Sequence, residues 1–356
     1  MIRLILKNIN YNFISKVINW HFNYYILYRG FPLQVGVYIT ERCNLKCLMC
    51  NIWKIKEPAT YPFHYQKKMI DALARIGCIY YSISGGEPTL VEDLAERLSY
   101  ACYKLPYVHL VTNGVNINKD LAKIIGQIGL KEISISLDGT EEYHNFLRGS
   151  KDAFGKAWQA IDLISTYAPK VTIVLNSLLS FYNIKGLREL NHRLSKFPNI
   201  YLKYLPFSKH KLFINTDNKF HFEKGNISDM DDFLNDALKN PHVINSSIFL
   251  YKAKLFFRGI DDLLPEQKFC LYPYFSLQID PRGFIYPCIG GMDNRDGLPP
   301  DIDIERYLNS KYYKEIQRKL KNCKRCNASM LLCYYEPRLN FPIDKFIYYN
   351  FIYRKR

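Results

Sequence analysis

Residues 35–53 read VGVYITERCNLKCLMCNIW, a β-rich run that gives way to three cysteines, Cys43, Cys47 and Cys50, in the spacing CxxxCxxC. Why three? A structural zinc site closes a tetrahedron with four protein ligands. A trio leaves one coordination position open, and open positions are where metals do chemistry. Which metal, and what enters the gap, depends on what surrounds the trio.

Further β-rich runs follow at 79–84, 108–112, 132–137, 170–178 and 199–205, so the run at 35–40 is the first of six. Between them, stretches near 63–76, 91–103, 118–128, 153–167 and 184–197 carry Leu, Ile and Ala at spacings of three and four, which predicts helices. Each strand reads as mostly apolar throughout, as in a parallel sheet covered by helices. The polar and glycine-rich residues collect just after the strands: the cysteine trio after the first, GGEP (85–88), TNG (112–114) and SLDG (136–139) after the next three. Active sites of β/α barrels are built at the carboxyl ends of successive strands, whereas a doubly wound sheet concentrates its site at one switch point. The pattern therefore predicts an α/β fold, a partial (β/α)6 TIM-type barrel with one shared mouth.

After about residue 208 the rhythm fails. Residues 228–239 and 246–258 read as helices, 275–286 as a hairpin turning at Asp280, Pro281 and Gly283, and 303–320 as a helix. Five late cysteines, Cys270, Cys288, Cys323, Cys326 and Cys333, accompany them, in a segment whose core looks too thin to stand without a metal staple. The chain thus divides into an amphipathic segment (1–34), the barrel core (35–208), a helical connector (209–265), a small cysteine-rich domain (266–338) and an aromatic, basic tail (339–356).

Clustered cysteines without a secretory signal point to a reducing cytoplasm and to metal ligation rather than disulfides. The isolated Cys78 and Cys102 sit in apolar surroundings and read as buried small hydrophobes. The net charge of +16 invites a nucleic-acid reading, but the lysines are scattered rather than grouped, so the excess reads as surface composition and nucleic acid is not the expected partner. At the amino end Ile2, Ile5, Ile9, Phe13, Val17, Trp20, Tyr24 and Leu27 recur at helical spacing. That stripe packs across the barrel or, with the basic aromatic carboxyl end, touches a membrane surface peripherally.

CxxxCxxC after the first strand with GGE after the second resembles the radical SAM superfamily, over roughly residues 35 to 338. The resemblance implies a [4Fe–4S] cluster held by Cys43, Cys47 and Cys50, whose free iron chelates S-adenosylmethionine. Reductive cleavage then gives a 5′-deoxyadenosyl radical that removes a hydrogen atom from substrate, with an electron donor such as flavodoxin or ferredoxin. It also implies that Gly85 and Gly86 let backbone approach the cofactor, and that Glu87 accepts from its methionyl ammonium. Asn113 is a further polar candidate, and Ser136 and Arg148 should touch the methionyl or ribose part. Met49 departs from the aromatic residue common before the third cysteine.

The late cysteines resemble a SPASM/twitch extension. One auxiliary [4Fe–4S] cluster on Cys270, Cys288, Cys323 and Cys326 is the parsimonious reading, with Cys333 spare or an alternative ligand, and a zinc ribbon the alternative. Four thiolates would leave that cluster an electron acceptor, making a net oxidation. Sulfatase-maturing relatives place an Asp after the hairpin cysteine where Ile289 stands here, which leaves only Asp138 and His210 as weak candidates for a base. The expected substrate is a polar small molecule or saccharide, then a peptide in a maturase of ribosomal peptides. RNA modification and a non-catalytic zinc scaffold are readings from other classes.

Overall fold

The computed structural model describes residues 11–26, 30–194, 197, 199–207, 225–260, 263, 270–288, 297–323 and 330. Helix α1 (Tyr11–Tyr25) precedes the first strand, β1 (Gln34–Tyr38). Five α/β repeats follow: α2 (Phe63–Ile76) and β2 (Tyr80–Ser84), α3 (Leu94–Lys104) and β3 (Val108–Thr112), and α4 (Lys119–Gln127) and β4 (Glu132–Ser136). Next come α5 (Glu141–Arg148), α6 (Ala153–Tyr167) and β5 (Thr172–Leu179), then α7 (Ile184–Leu194) and β6 (Ile200–Pro206). Adjacent strands pair in parallel from β1 through β6, the order the sequence predicts.

One face of that sheet holds the core. Val37, Ile83, Leu110, Ile135, Leu175 and Leu202 pack with Leu73, Leu98, Ile125, Ile164 and Leu187 of the helices in a single buried cluster. The other face differs from the expectation of strands apolar throughout. Ser82, His109 and Glu132 align across β2, β3 and β4, and Ser136, Asn176 and Lys203 across β4, β5 and β6. Side chains alternate across a strand, so the helix-covered face takes the aliphatic residues and the concave face takes the polar ones.

Helices α8 (Ile227–Lys239) and α9 (Ser247–Phe257) follow, and the expected hairpin forms from β7 (Ser276–Ile279) and β8 (Ile285–Tyr286). It does not stand apart. β7 pairs in parallel with β1, Gln34 to Ser276 through Val37 to Ile279, making one sheet of eight strands. Leu277, Ile279, Ile285 and Tyr313 belong to the barrel's own buried cluster. The helix expected over 303–320 is two, α10 (Ile304–Asn309) and α11 (Lys311–Lys321), because Ser310 is extended and its hydroxyl caps α11 by accepting from the Tyr313 N–H at 3.1 Å.

The described part of the amino-terminal stripe lies against protein. Trp20 is fully buried, its indole N–H donates to the Phe31 carbonyl at 2.8 Å, and Val17 and Tyr24 pack beside it. Residues 1–10, Leu27 and the tail 339–356 lie outside the described residues. Among the described residues no helix is long and apolar enough to cross a membrane.

Candidate active site and cysteine loop

Beyond β1 the chain enters the cysteine loop, and the GGEP turn after β2 runs along its first residues. The Gly86 N–H donates to the Thr40 carbonyl and the Glu87 N–H to the Arg42 carbonyl, both at 2.7 Å. A Cβ on Gly85, which sits at φ +146°, or on Gly86 would collide with those same carbonyls of Thr40 and Arg42. The glycines expected to make room for a ligand make room first for this loop.

Glu87, expected to accept from a ligand's ammonium, is fully buried and its bonds go to protein. One oxygen accepts from the Thr89 N–H (3.1 Å), the Thr89 hydroxyl (2.7 Å) and the Thr112 hydroxyl (2.6 Å), and the other from the Asn113 N–H (2.7 Å). Burial pushes its carboxyl up and those donors pull it back. The result is a tie between the β2 turn and the end of β3. Asn113 continues it: its amide donates to Asn44 at 2.7 Å, and Asn44 in turn donates to Asn116 at 3.2 Å, which clamps the loop from the β3 side.

The three cysteines share one apolar pocket with Leu45, Met49, Val115 and Ala153, Cys47 buried and the other two half-buried. Burial pushes the Cys43 thiol up to about 12 and Cys50 to about 11, and raises Cys47 as well; the neighbouring thiolates oppose one another. The short helix α5 was not expected from the sequence. It ends at Gly149 and delivers Arg148 to this pocket.

Arg148, expected on the cofactor, is held bidentately by Asp138, Nε at 2.6 Å and Nη2 at 3.1 Å, with Nη1 4.0 Å from the Cys47 sulfur. Asp138 is fully buried and also accepts from the Leu178 N–H at 2.8 Å, so it serves as the guanidinium's anchor and is not a general base open to substrate. Asp138→Asn is therefore expected to destabilise the fold by about 3 kcal/mol, because a buried charge loses its partner. Adding Arg148→Met should recover part of that loss, measured as urea midpoints in a double-mutant cycle; a single variant as stable as wild type would show that the pair is dispensable.

A family model, the Radical SAM superfamily, matches residues 37–189. These residues form a radical SAM domain. Its cofactors are S-adenosylmethionine and a [4Fe–4S] cluster, and the chain's residues fit them. Among the described residues no three His, Cys, Asp or Glu side chains converge tightly enough for one metal ion. A pocket with three thiols, pinned from Thr40, Arg42 and Asn44 and facing a fixed guanidinium, suits the larger cubane, which takes three thiolates and leaves one iron open.

Two curated proteins resemble part of this chain. Fe-coproporphyrin III synthase of Methanosarcina barkeri is 37% identical over 125 residues, 35% of this chain and 31% of that protein. The antilisterial bacteriocin subtilosin biosynthesis protein AlbA of Bacillus subtilis is 32% identical over 148 residues, 41% of this chain and 33% of that protein. The chain thus spans about a third of the length of the curated relatives it matches. The crystal structure of Streptococcus suis SuiB bound to precursor peptide SuiA superposes with a TM-score of 0.64 at 18% identity, covering 81% of this chain and 67% of that one, a likeness of fold.

Around the radical SAM domain the remaining candidates fall into two groups. Ser136 ends β4 on the concave face, level with Asn176. Cys270, Cys288 and Cys323 are half-buried, and the Cys270 N–H donates to the Lys321 carbonyl at 2.6 Å, which draws the start of the hairpin segment to the end of α11, two residues before Cys323. Cys326, Cys333, Ile289 and His210 lie outside the described residues. Cys78 is fully buried and pushed up to about 12, and Cys102, half-buried, is pushed up to about 12 by burial as well.

The sequence reading missed the concave face of the radical SAM domain. His109 bonds the Tyr80 hydroxyl (2.7 Å) and the Ser82 hydroxyl (3.0 Å) through Nδ1, and the Ser134 hydroxyl (2.8 Å) through Nε2; Glu132 accepts from the Tyr107 hydroxyl at 2.7 Å. Polar residues at every second position of YYSIS and EISIS were the available signal.

Proposed function

We propose that the chain is a radical SAM enzyme that removes a hydrogen atom from a peptide substrate, as a maturase of a ribosomally made peptide. When bound, the cluster and S-adenosylmethionine supply the carbon-centred radical for that step. The chain holds the cysteine loop rigid, keeps the Arg148 guanidinium beside Cys47, and offers the polar concave face to the substrate. The substrate's first electron would leave with the hydrogen atom, and a late cluster on Cys270, Cys288, Cys323 and Cys326 would take the second; a separate electron, from flavodoxin or ferredoxin, would reduce the barrel cluster.

The observation that carries the peptide reading is the 32% identity to a protein named for bacteriocin biosynthesis. SuiB, solved with a precursor peptide, shows that this fold accommodates one in that protein. Oxidation of a saccharide, expected first from the sequence, finds no such support. A small-molecule substrate remains the second reading, because a relative of 37% identity is named for a coproporphyrin.

The test is anaerobic reconstitution with S-adenosylmethionine and dithionite against a pool of synthetic peptides and a panel of monosaccharides. Peptides should raise 5′-deoxyadenosine above the substrate-free rate and lose two mass units. Stimulation by sugars alone would overturn the reading.

A further inference from the structure

The concave face carries an ammonium with no bond to it. Lys203 on β6 is only 9% exposed, and among the described residues no carboxylate lies within 4 Å of it and no hydrogen bond reaches it. On the same face its charge acts on Glu132, whose oxygens are engaged by the Tyr107 hydroxyl at 2.7 Å and the His109 ring at 3.4 Å. His109 is uncharged, since burial pushes its pKa down to about 4. An ammonium at the end of a largely covered side chain, with no partner of its own, is a place where an anion can meet it.

A second, independent observation lies one strand away. Asn176, level with Lys203 in the β5–β6 pairing, has a buried side-chain oxygen with no hydrogen-bond partner. A buried acceptor left unmade costs on the order of 1–3 kcal/mol, so it marks a place where a donor belongs. Ser136 completes the row on β4, at the carboxyl end of the strands where a barrel's site opens.

We propose that Lys203 and Asn176 form a substrate-anchoring subsite for a carboxylate with an N–H beside it. The ammonium takes the carboxylate and the Asn176 oxygen takes the N–H. Within the peptide reading, on which this rests, such a ligand is an acidic residue of the substrate with its own backbone amide. The subsite would set which residue of the peptide faces the radical.

The test uses the reconstituted full chain and calorimetry with four probes. N-acetyl-L-glutamate N-methylamide is compared with its glutamine counterpart, and glutarate monoamide with glutaramide. Each acid should bind roughly ten-fold tighter than its amide, the factor one charge-assisted bond is worth. Lys203→Met should abolish that preference while S-adenosylmethionine affinity stays within two-fold. Asn176→Asp, which places a rival carboxylate beside Lys203, should also abolish it and serves if Lys203→Met does not fold. Acid preference by the glutarate pair alone would keep the subsite and overturn the peptide reading. No preference in wild type, or loss of S-adenosylmethionine with the acid preference intact, would overturn the subsite.

Discussion

Changing Cys43, Cys47 and Cys50 together to alanine is expected to end 5′-deoxyadenosine formation while leaving about four irons per chain. The arithmetic is that of thiolates: a cubane needs at least three, and the variant has none in the loop, whereas Cys270, Cys288, Cys323 and Cys326 remain. The three side chains share one apolar pocket, so alanine introduces no new polar group there, and the loop's ties through Thr40, Arg42 and Asn44 are untouched. Iron and sulfide analysis beside product chromatography reads both halves. Undiminished 5′-deoxyadenosine would remove the loop as the cluster's holder, and near-zero iron would favour a zinc ribbon at the late cysteines.

Acid should begin to weaken the fold well above the range where its surface carboxylates titrate. His109 and His144 are 3% and 1% exposed, and burial pushes their pKa down to about 4 and about 3. For His144 the geometry adds a reason. Its Nδ1 accepts from the Asp138 N–H at 3.0 Å, so the ring carries its hydrogen on Nε2, and a second proton at Nδ1 would face a donor already in place.

The sign follows from where the protons sit. An unfolded histidine binds its proton near pH 6.5, while the folded one refuses it until about 4 or about 3, so the unfolded state holds more protons in between. Stability is full above about 6.5 and is lost as pH falls through that window, by on the order of 3 kcal/mol for His109 and about 5 kcal/mol for His144 at its acid end. Urea midpoints taken from pH 7.5 down to 4.5 should drop with a slope approaching two protons, and His144→Gln should halve it. A flat profile to pH 5 would mean that both rings are protonated in the fold.

The order of strands, the first barrel helices and the hairpin were legible because their periodicities are long and their turns carry glycine and proline. Helix α5 was not: eight residues, three of them charged among EEYHNFLR, give too little apolar repeat, and its boundaries lie in the turn residues Thr140 and Gly149. The concave face was read as apolar because β-branched neighbours drown a polar residue every second position in so short a strand. The cysteine trio was visible by spacing alone. The partners of Glu87 and Arg148 were not, since Thr112, Asn113, Asp138 and Cys47 come to them from different strand ends, a matter of tertiary placement.

The pairing of β7 with β1 has a further consequence for how this chain can be cut. Gly36 has no side chain where the Gln278 amide lies across it, so the late strand is keyed to the first one as well as hydrogen-bonded to it. A fragment ending near residue 207 would keep every residue of the cysteine loop yet leave the outer border of β1 bare, a row of backbone donors and acceptors open to any other chain. Such a fragment should be sticky rather than merely less active. The radical-generating half is therefore no portable cassette: in this protein the segment that follows it also acts as its selvage, and the two would have to be inherited, expressed and engineered as one piece.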